Sequence, residues 1–152
     1  MPYSVDGWVE ILWDWSLEEE TQHWSGFMSL YRFNFYGSYL SDRLFGLTKR
    51  PCDNPYFADR GVPKDCCRYV ADEVKSNEEF IKQYGKGNGD FGHTWALWSE
   101  IEPCLPELRQ GYDFPRWQQI FSMLQELCVE RTSCEQLILK PEWIRFVVWG
   151  NW

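Results

Sequence analysis

Two β-rich stretches near the ends of the chain decide the fold class: Val5-Asp-Gly-Trp-Val-Glu-Ile-Leu-Trp-Asp-Trp15 and Trp143-Ile-Arg-Phe-Val-Val-Trp149. Both are rich in Val, Ile and Trp, which favour strands. Between them, apolar residues recur at the spacing of an amphipathic helix: Trp117, Ile120, Phe121, Leu124, Leu127 and Cys128. Strands at both ends with helices between them predict one α+β domain over residues 1–152. Its sheet is mostly antiparallel, formed by the N- and C-terminal strands, with helices packed on it.

The rest of the chain divides into shorter elements. Bulky β-formers predict a strand over 28–35 and a short buried strand over 94–98. Helical spacing predicts helices over 36–47 and 64–84, the second with Cys67, Val70, Ala71 and Val74 on one stripe. Residues 17–23 are predicted to be an acidic loop, 48–63 a long loop and 85–93 a glycine-rich connection.

Composition excludes several classes of function. Fifteen Lys and Arg against 23 Asp and Glu give a net charge of −8, which disfavours duplex nucleic acid and suits a basic protein partner. Residues 1–15 carry acidic residues and no positive n-region, so no signal peptide is expected, and no apolar run is long enough for a membrane span. The prediction is therefore a cytoplasmic protein. Its six cysteines are therefore expected to be free thiols.

Aromatic residues are unusually frequent, with 10 Trp, 8 Tyr and 10 Phe. Most are predicted to fill the core, because they lie on apolar faces of predicted elements. Trp15, Trp24 and Trp152 fall in loops or at the terminus, where an exposed indole indicates an interface.

Metal and cofactor chemistry lack the required spacings. Cys66 and Cys67 are adjacent, whereas a zinc site needs ligand pairs two to five residues apart, so no metal is expected. Gly85, Gly87 and Gly89 form a glycine-rich loop that runs from a helix into a strand, the reverse of a dinucleotide fingerprint. No cofactor is predicted.

Positive charge gathers around the long loop of this otherwise acidic chain. The predicted ligand-binding residues are Lys49, Arg50, Arg60, Lys64, Arg68, Asp90, His93 and Trp95. Lys and Arg side chains bind phosphate groups, and Trp95 offers a ring for stacking a base. The pattern therefore predicts a site for a small phosphorylated ligand, with no catalytic residue assigned. The alternative is a small hydrolase that uses His93 with the nearby carboxylate of Asp90.

Five short segments resemble a group of uncharacterised, largely bacteriophage-encoded proteins. They are the opening Gly-Trp-Val-Glu, Ser41-Asp-Arg-Leu-Phe-Gly-Leu47, Ala58-Asp-Arg-Gly-Val-Pro-Lys-Asp65, Asp90-Phe-Gly-His-Thr-Trp-Ala-Leu-Trp-Ser-Glu-Ile101 and Ile144-Arg-Phe-Val-Val-Trp149. Their order and spacing cover most of the chain. The sequence departs from the group at Cys66-Cys67, where Val-Ser is usual, and at Gly150-Asn151, where Phe-Asp is expected. The second departure removes an acidic residue from the C-terminal strand.

The resemblance implies a phage origin and no particular chemistry. We therefore expect a non-enzymatic accessory protein that acts in the host cytoplasm and counters a host antiviral defence by binding. The expected target is a small anionic, nucleotide-type signal or, alternatively, a host defence protein that the chain inhibits directly. A homo-oligomer is compatible with either target.

Overall fold

The structure, a computed structural model, describes residues 3–13, 23–47, 54–129 and 139–152. Its strands are β1 Ser4–Trp13, β2 His23–Ser29, β3 Phe35–Tyr36, β4 Asp90–Leu97 and β5 Ile144–Asn151. Its helices are α1 Tyr39–Phe45, α2 Arg68–Tyr84, α3 Trp98–Ile101, α4 Leu105–Leu108 and α5 Phe114–Leu127. Short 3₁₀ turns occupy Leu30–Phe33, Glu102–Cys104 and Pro141–Trp143.

The strands form one antiparallel sheet in the order β2–β1–β5–β4, and β3 pairs with the start of β1. Ser4 lies opposite Asn151 and Ile11 opposite Ile144, so β5 pairs with β1 along its whole length. Gly7 permits this close pairing, because a Cβ atom there would lie 2.1 Å from the carbonyl oxygen of Val147. The predicted α+β fold is confirmed.

Strand β5 is buried on both faces of the sheet. Ile144, Phe146 and Val148 point into the main core with α1, α3 and α5, whereas Val147 and Trp149 pack in a second cluster under α2. Because side chains alternate along a strand, this second face also carries polar residues of β1 and β4. We call it the α2 face.

The prediction of one strand over 28–35 is wrong. Strand β2 ends at Ser29, a 3₁₀ turn follows, and Asn34 adopts a left-handed conformation with φ of 48° before the two residues of β3. The turn carries Leu30 into the core, where it is fully buried. Burial of this side chain outweighs the β propensity of the aromatic residues that follow it.

Other boundaries shift by a few residues. Helix α2 begins at Arg68, after Pro63 and a turn, and the predicted apolar position Ala71 is exposed. Strand β4 begins at Asp90, inside the predicted glycine-rich connection, and the chain turns helical at Trp98. Of the predicted loop over 17–23, His23 instead begins β2 and the other residues lie outside the described residues, as do the first residues of the long loop.

Four cysteines fall in the described ranges, and all four are free thiols, as predicted: Cys66, Cys67, Cys104 and Cys128. Within the same ranges, no helix combines the length and the apolar character that a membrane crossing requires.

Candidate functional site

Arg60 is committed to a structural contact. Its guanidinium lies between the rings of Phe57 and Trp95, at 4.9 and 5.1 Å from their centroids, and donates two hydrogen bonds of 2.9 and 3.1 Å to Glu100. Burial would raise the pKa of Glu100, but the hydrogen bonds from Arg60 and from the Leu97 amide hold that pKa below its usual range. The charge that predicted a phosphate contact is therefore balanced by a carboxylate.

The other basic residues of the predicted site are dispersed. Lys64 is exposed on a turn, and Lys49 and Arg50 lie outside the described residues. Arg68 opens α2 with its side chain 89% exposed, 3.5 Å from Asp72. It lines a cavity of about 410 Å³ with His23, Trp24, Ser25, Gly26, Cys67 and Tyr69. Arg68 is thus a predicted cation that does border a cavity.

Asp90 begins β4, whereas His93 lies in the middle of the strand, where its carbonyl oxygen accepts a 3.0 Å hydrogen bond from the amide of Gly61. The side-chain amide of Asn151 donates a hydrogen bond to Asp90, and the His93 ring stacks on Trp149 at 5.4 Å. Burial lowers the pKa of His93, and the charge of Asp90 opposes that effect. Five residues of strand, roughly 16 Å, separate Asp90 from Trp95. The structure thus places the predicted acid and the predicted stacking ring in different surroundings.

Asp90 borders a cleft of about 460 Å³ between α2 and the sheet, which we call the acidic cleft. Three elements contribute carboxylates to it: Asp6 comes from β1, Asp90 from β4, and Asp72 and Glu73 from α2. The remaining lining is Tyr31, Ser76, Asn88, Trp149 and Asn151. None of the predicted basic residues that the structure describes lines this cleft.

The carboxylates of the acidic cleft repel one another. Burial raises the pKa of Asp6, and the charge of Asp90 raises it further. Burial likewise raises the pKa of Glu73, against a hydrogen bond from Trp8, and the charges of Asp6 and Asp90 add to the rise. Raised carboxylate pKa values in a cleft are typical of functional sites, because neighbouring like charges without a counter-charge do not stabilise the fold.

Metal coordination does not account for this cluster. Among the described residues, no group of three or more His, Cys, Asp or Glu side chains has the geometry to hold a metal ion. The cleft is also walled in part by the aromatic rings of Tyr31 and Trp149. Carboxylates beside aromatic rings suit an organic cation such as an ammonium or guanidinium group.

The opposite end of the α2 face holds an ion-pair network that sequence reasoning missed. Arg145 is 3% exposed and Glu10 fully buried; the arginine Nε donates to Glu10 at 2.6 Å and Nη1 to Asp65 at 2.9 Å. Burial would raise the pKa of Asp65, but the hydrogen bond and charge of Arg145 hold it below its usual range. The Trp24 ring covers the guanidinium at 4.0 Å.

This network positions the start of α2. The second oxygen of Glu10 accepts a 2.6 Å hydrogen bond from the backbone amide of Cys67, the residue that precedes the helix. Burial, with a contribution from Glu10, raises the pKa of the Cys67 thiol to about 11. The thiol is therefore protonated at neutral pH and is not a nucleophile.

A sequence signal for the network exists. Glu10 stands between Val9 and Ile11, and Arg145 between Ile144 and Phe146. Opposite charges between apolar neighbours, on two strands that are predicted to form one sheet, indicate a cross-strand pair, because an unpaired charge would not be buried there. The register confirms that Glu10 and Arg145 are direct partners.

No family model, curated protein or solved structure matches this chain.

Proposed function

We propose that the protein is a non-enzymatic binding protein whose acidic cleft accepts basic side chains of a protein partner. In line with the resemblance to phage-encoded proteins, the proposed partner is a host defence protein that the chain inhibits by covering a basic surface. One observation carries the proposal: Asp6, Glu73 and Asp90 converge from three elements. Burial and the charge of Asp90 raise the pKa of Asp6, and burial and the charges of Asp6 and Asp90 raise the pKa of Glu73.

A lysine or arginine from a partner would relieve this repulsion. An opposite charge within a few ångströms stabilises ionised carboxylates, and half-buried pairs are screened less by salt than exposed ones. Tyr31 and Trp149 would add cation–π contacts. The net charge of −8 would speed the encounter with a basic surface, especially at low ionic strength.

The test uses an oligolysine peptide titrated into the protein at low ionic strength. The double variant Asp6→Asn/Asp90→Asn removes two charges from the acidic cleft, and its affinity should fall about tenfold. The control Glu78→Gln/Glu142→Gln removes the same charge from residues outside the cleft lining, and its affinity should change less than about twofold. Equal losses in both variants would show that net charge alone attracts the peptide and would contradict the proposal.

A small phosphorylated ligand is the second candidate, favoured by the cavity at the start of α2. Arg68 lines it together with His23, Trp24 and Tyr69, which supply two basic side chains and two aromatic rings. The first backbone amides of a helix attract anions as well. These groups match the chemistry of a nucleotide, because its base can stack on the aromatic rings and its phosphate can pair with the basic side chains.

A panel of nucleotides separates the two candidates. If the cavity binds one of these nucleotides, that nucleotide should raise the melting temperature of the protein. The variant Arg68→Gln should abolish this rise, whereas the control Lys82→Gln, on the exposed last turn of α2, should keep it. Loss of the nucleotide during incubation would instead favour hydrolysis by His93 with Asp90. A protein that binds oligolysine but no nucleotide supports the acidic cleft alone.

A further inference from the structure

The second half of α2 carries apolar side chains that the sheet does not bury. In the first half of the helix, Val70 and Val74 pack with strand β5 in the second cluster. From residue 78 to residue 84, in contrast, every residue of the helix is exposed. The apolar side chains in this part are Phe80, Ile81 and Tyr84, which are 39%, 44% and 56% exposed. We call these three residues the apolar end of α2.

The apolar end continues the stripe by which α2 packs on the sheet. Ile81 lies on the same face of the helix as Val70 and Val74, because the three follow helical spacing. The rings of Phe80 and Tyr84, one turn apart, have centroids 4.5 Å from each other. Most of the stability of a helix in a protein comes from packing of its apolar face, so this part of α2 would gain stability from a partner. Contiguous exposed apolar side chains of this kind indicate an interaction surface.

The apolar end adjoins the acidic cleft. Ser76 lines the cleft, and Phe80 and Tyr84 follow it at intervals of one helical turn, so the three lie on one side of α2. At a rise of about 1.5 Å per residue, the two rings lie about 6 and 12 Å from Ser76 along the helix axis. Asn88, which also lines the cleft, donates its amide to Asn77 Oδ1 at 3.1 Å. The cleft and the rings are therefore neighbouring parts of one surface.

Charge decides which kind of segment fits this surface. The cleft presents carboxylates from three elements, whereas the positive side chains in this part of α2 are directed elsewhere. Lys82 is two residues from both Phe80 and Tyr84, which places it about 200° around the helix axis from each ring. Lys75 pairs with Glu79 at 4.0 Å. A surface that is apolar at one end and acidic at the other complements a segment that is apolar at one end and basic at the other.

We propose that the apolar end of α2 and the acidic cleft together bind one amphipathic basic helix of the protein partner. Apolar side chains of that helix pack on Phe80 and Tyr84, and its lysine or arginine side chains, about one turn further along the same face, enter the cleft. The spacing follows from α2 itself, because side chains four residues apart form the ridge along which two helices pack. The charged contact rests on the proposed function, whereas the apolar contact does not.

Three fluorescently labelled helical peptides test this arrangement. The first carries leucines and lysines about four residues apart on one helical face. The second has the same composition, with the lysines moved to the opposite face, and the third has alanine in place of each leucine. Fluorescence anisotropy at low ionic strength should show that the first peptide binds about tenfold more tightly than either of the others.

Protein variants assign this preference to residues. Phe80→Gln/Tyr84→Gln removes both rings and keeps good helix formers on α2. It should weaken binding of the first peptide about tenfold and change the affinity for oligolysine less than about twofold. The control Tyr36→Gln/Tyr112→Gln removes two other exposed tyrosines, neither of them on α2, and should leave both affinities unchanged. Circular dichroism checks that each variant keeps its helix content.

The inference and the proposed function can fail separately, because they are read from different variants and probes. Equal affinities of the first peptide for Phe80→Gln/Tyr84→Gln and for its control would overturn the inference, even where Asp6→Asn/Asp90→Asn loses oligolysine binding as the proposed function expects. Equal binding of the first and second peptides would also overturn it, because lysines on the opposite face cannot enter the cleft. Dimerisation that Phe80→Gln/Tyr84→Gln abolishes would instead assign the apolar end to a second copy of this chain.

Discussion

At one end of the α2 face, Arg145 balances Glu10 and Asp65 in a buried network, whereas at the other end Asp6 and Glu73 are held near Asp90 with raised pKa values. Each end includes a carboxylate of the central strand β1 that stands between apolar positions, Glu10 at the first end and Asp6 at the second. The two ends differ in whether a positive side chain balances the carboxylates. Buried charge that is paired stabilises the position of an element, and charge left unbalanced at a cleft is available to a partner.

The largest expected effect is at the balanced end. Arg145→Met should lower the free energy of unfolding by about 3–5 kcal/mol, because it leaves the carboxylate of Glu10 buried without its cation. Urea denaturation followed by tryptophan fluorescence measures the loss. The double variant Glu10→Gln/Arg145→Met should recover a large part of it, since both charges are then absent. A loss in the free energy of unfolding below about 1 kcal/mol for Arg145→Met would contradict this prediction, because it would show that burying the Glu10 carboxylate without a cation costs little.

Neutralisation at the acidic cleft should have the opposite sign. Asp6→Asn removes one of the repelling carboxylates and keeps the shape of the side chain, so the free energy of unfolding should rise by about 0.5 kcal/mol at pH 7. Glu79→Gln, which lies on the exposed face of α2, serves as the control and should leave stability nearly unchanged. Destabilisation by Asp6→Asn would mean that the carboxylate has a structural role and that the two ends do not differ as described.

The smallest effect is the pH dependence of this gain. The folded-state pKa of Asp6 lies above its ordinary value of 3.8, so its contribution to stability is fully present below pH 3.8 and is lost as the pH rises through the folded-state value. The advantage of Asp6→Asn over the natural protein should therefore be largest near pH 7 and disappear below about pH 3.8. Asp65 and Glu100 have lowered pKa values, so their contributions to the stability of the protein are lost as the pH falls. Both residues are present in the natural protein and in the variant, so these contributions cancel in the comparison. An advantage that persists at low pH would contradict the repulsion.

Much of the fold could be predicted from local patterns. The Val, Ile and Trp enrichment over residues 5–15 identified β1, and the helical spacing after Asp113 identified α5, because each pattern is contained within one element. The path from Ser29 to Phe35 could not be predicted in the same way. There the burial of Leu30 in the core, a tertiary effect, decided the backbone conformation.

The candidate sites were less accessible to sequence reasoning. Asp90 was selected for the site, but its neighbour Asp6 comes from the other end of the chain through β1–β5–β4 pairing. Arg60 has the composition of a ligand contact, and only the fold shows that Glu100 holds it. Charge compensation depends on strand order, and one-dimensional spacing does not contain strand order.

The central position of β5 has a consequence for how the protein is made. Residues 144–151 lie between β1 and β4, yet a ribosome adds them after the other four described strands. Until they emerge, β1 and β4 have no strand to pair with on their inner edges, and the apolar side chains that β5 covers on both faces stay in contact with water. Such long-range pairing slows folding and prolongs the exposure of aggregation-prone surface. Completion of the sheet therefore waits for residues 144–151 to emerge, and the interval before that is the stage at which a chaperone would matter most.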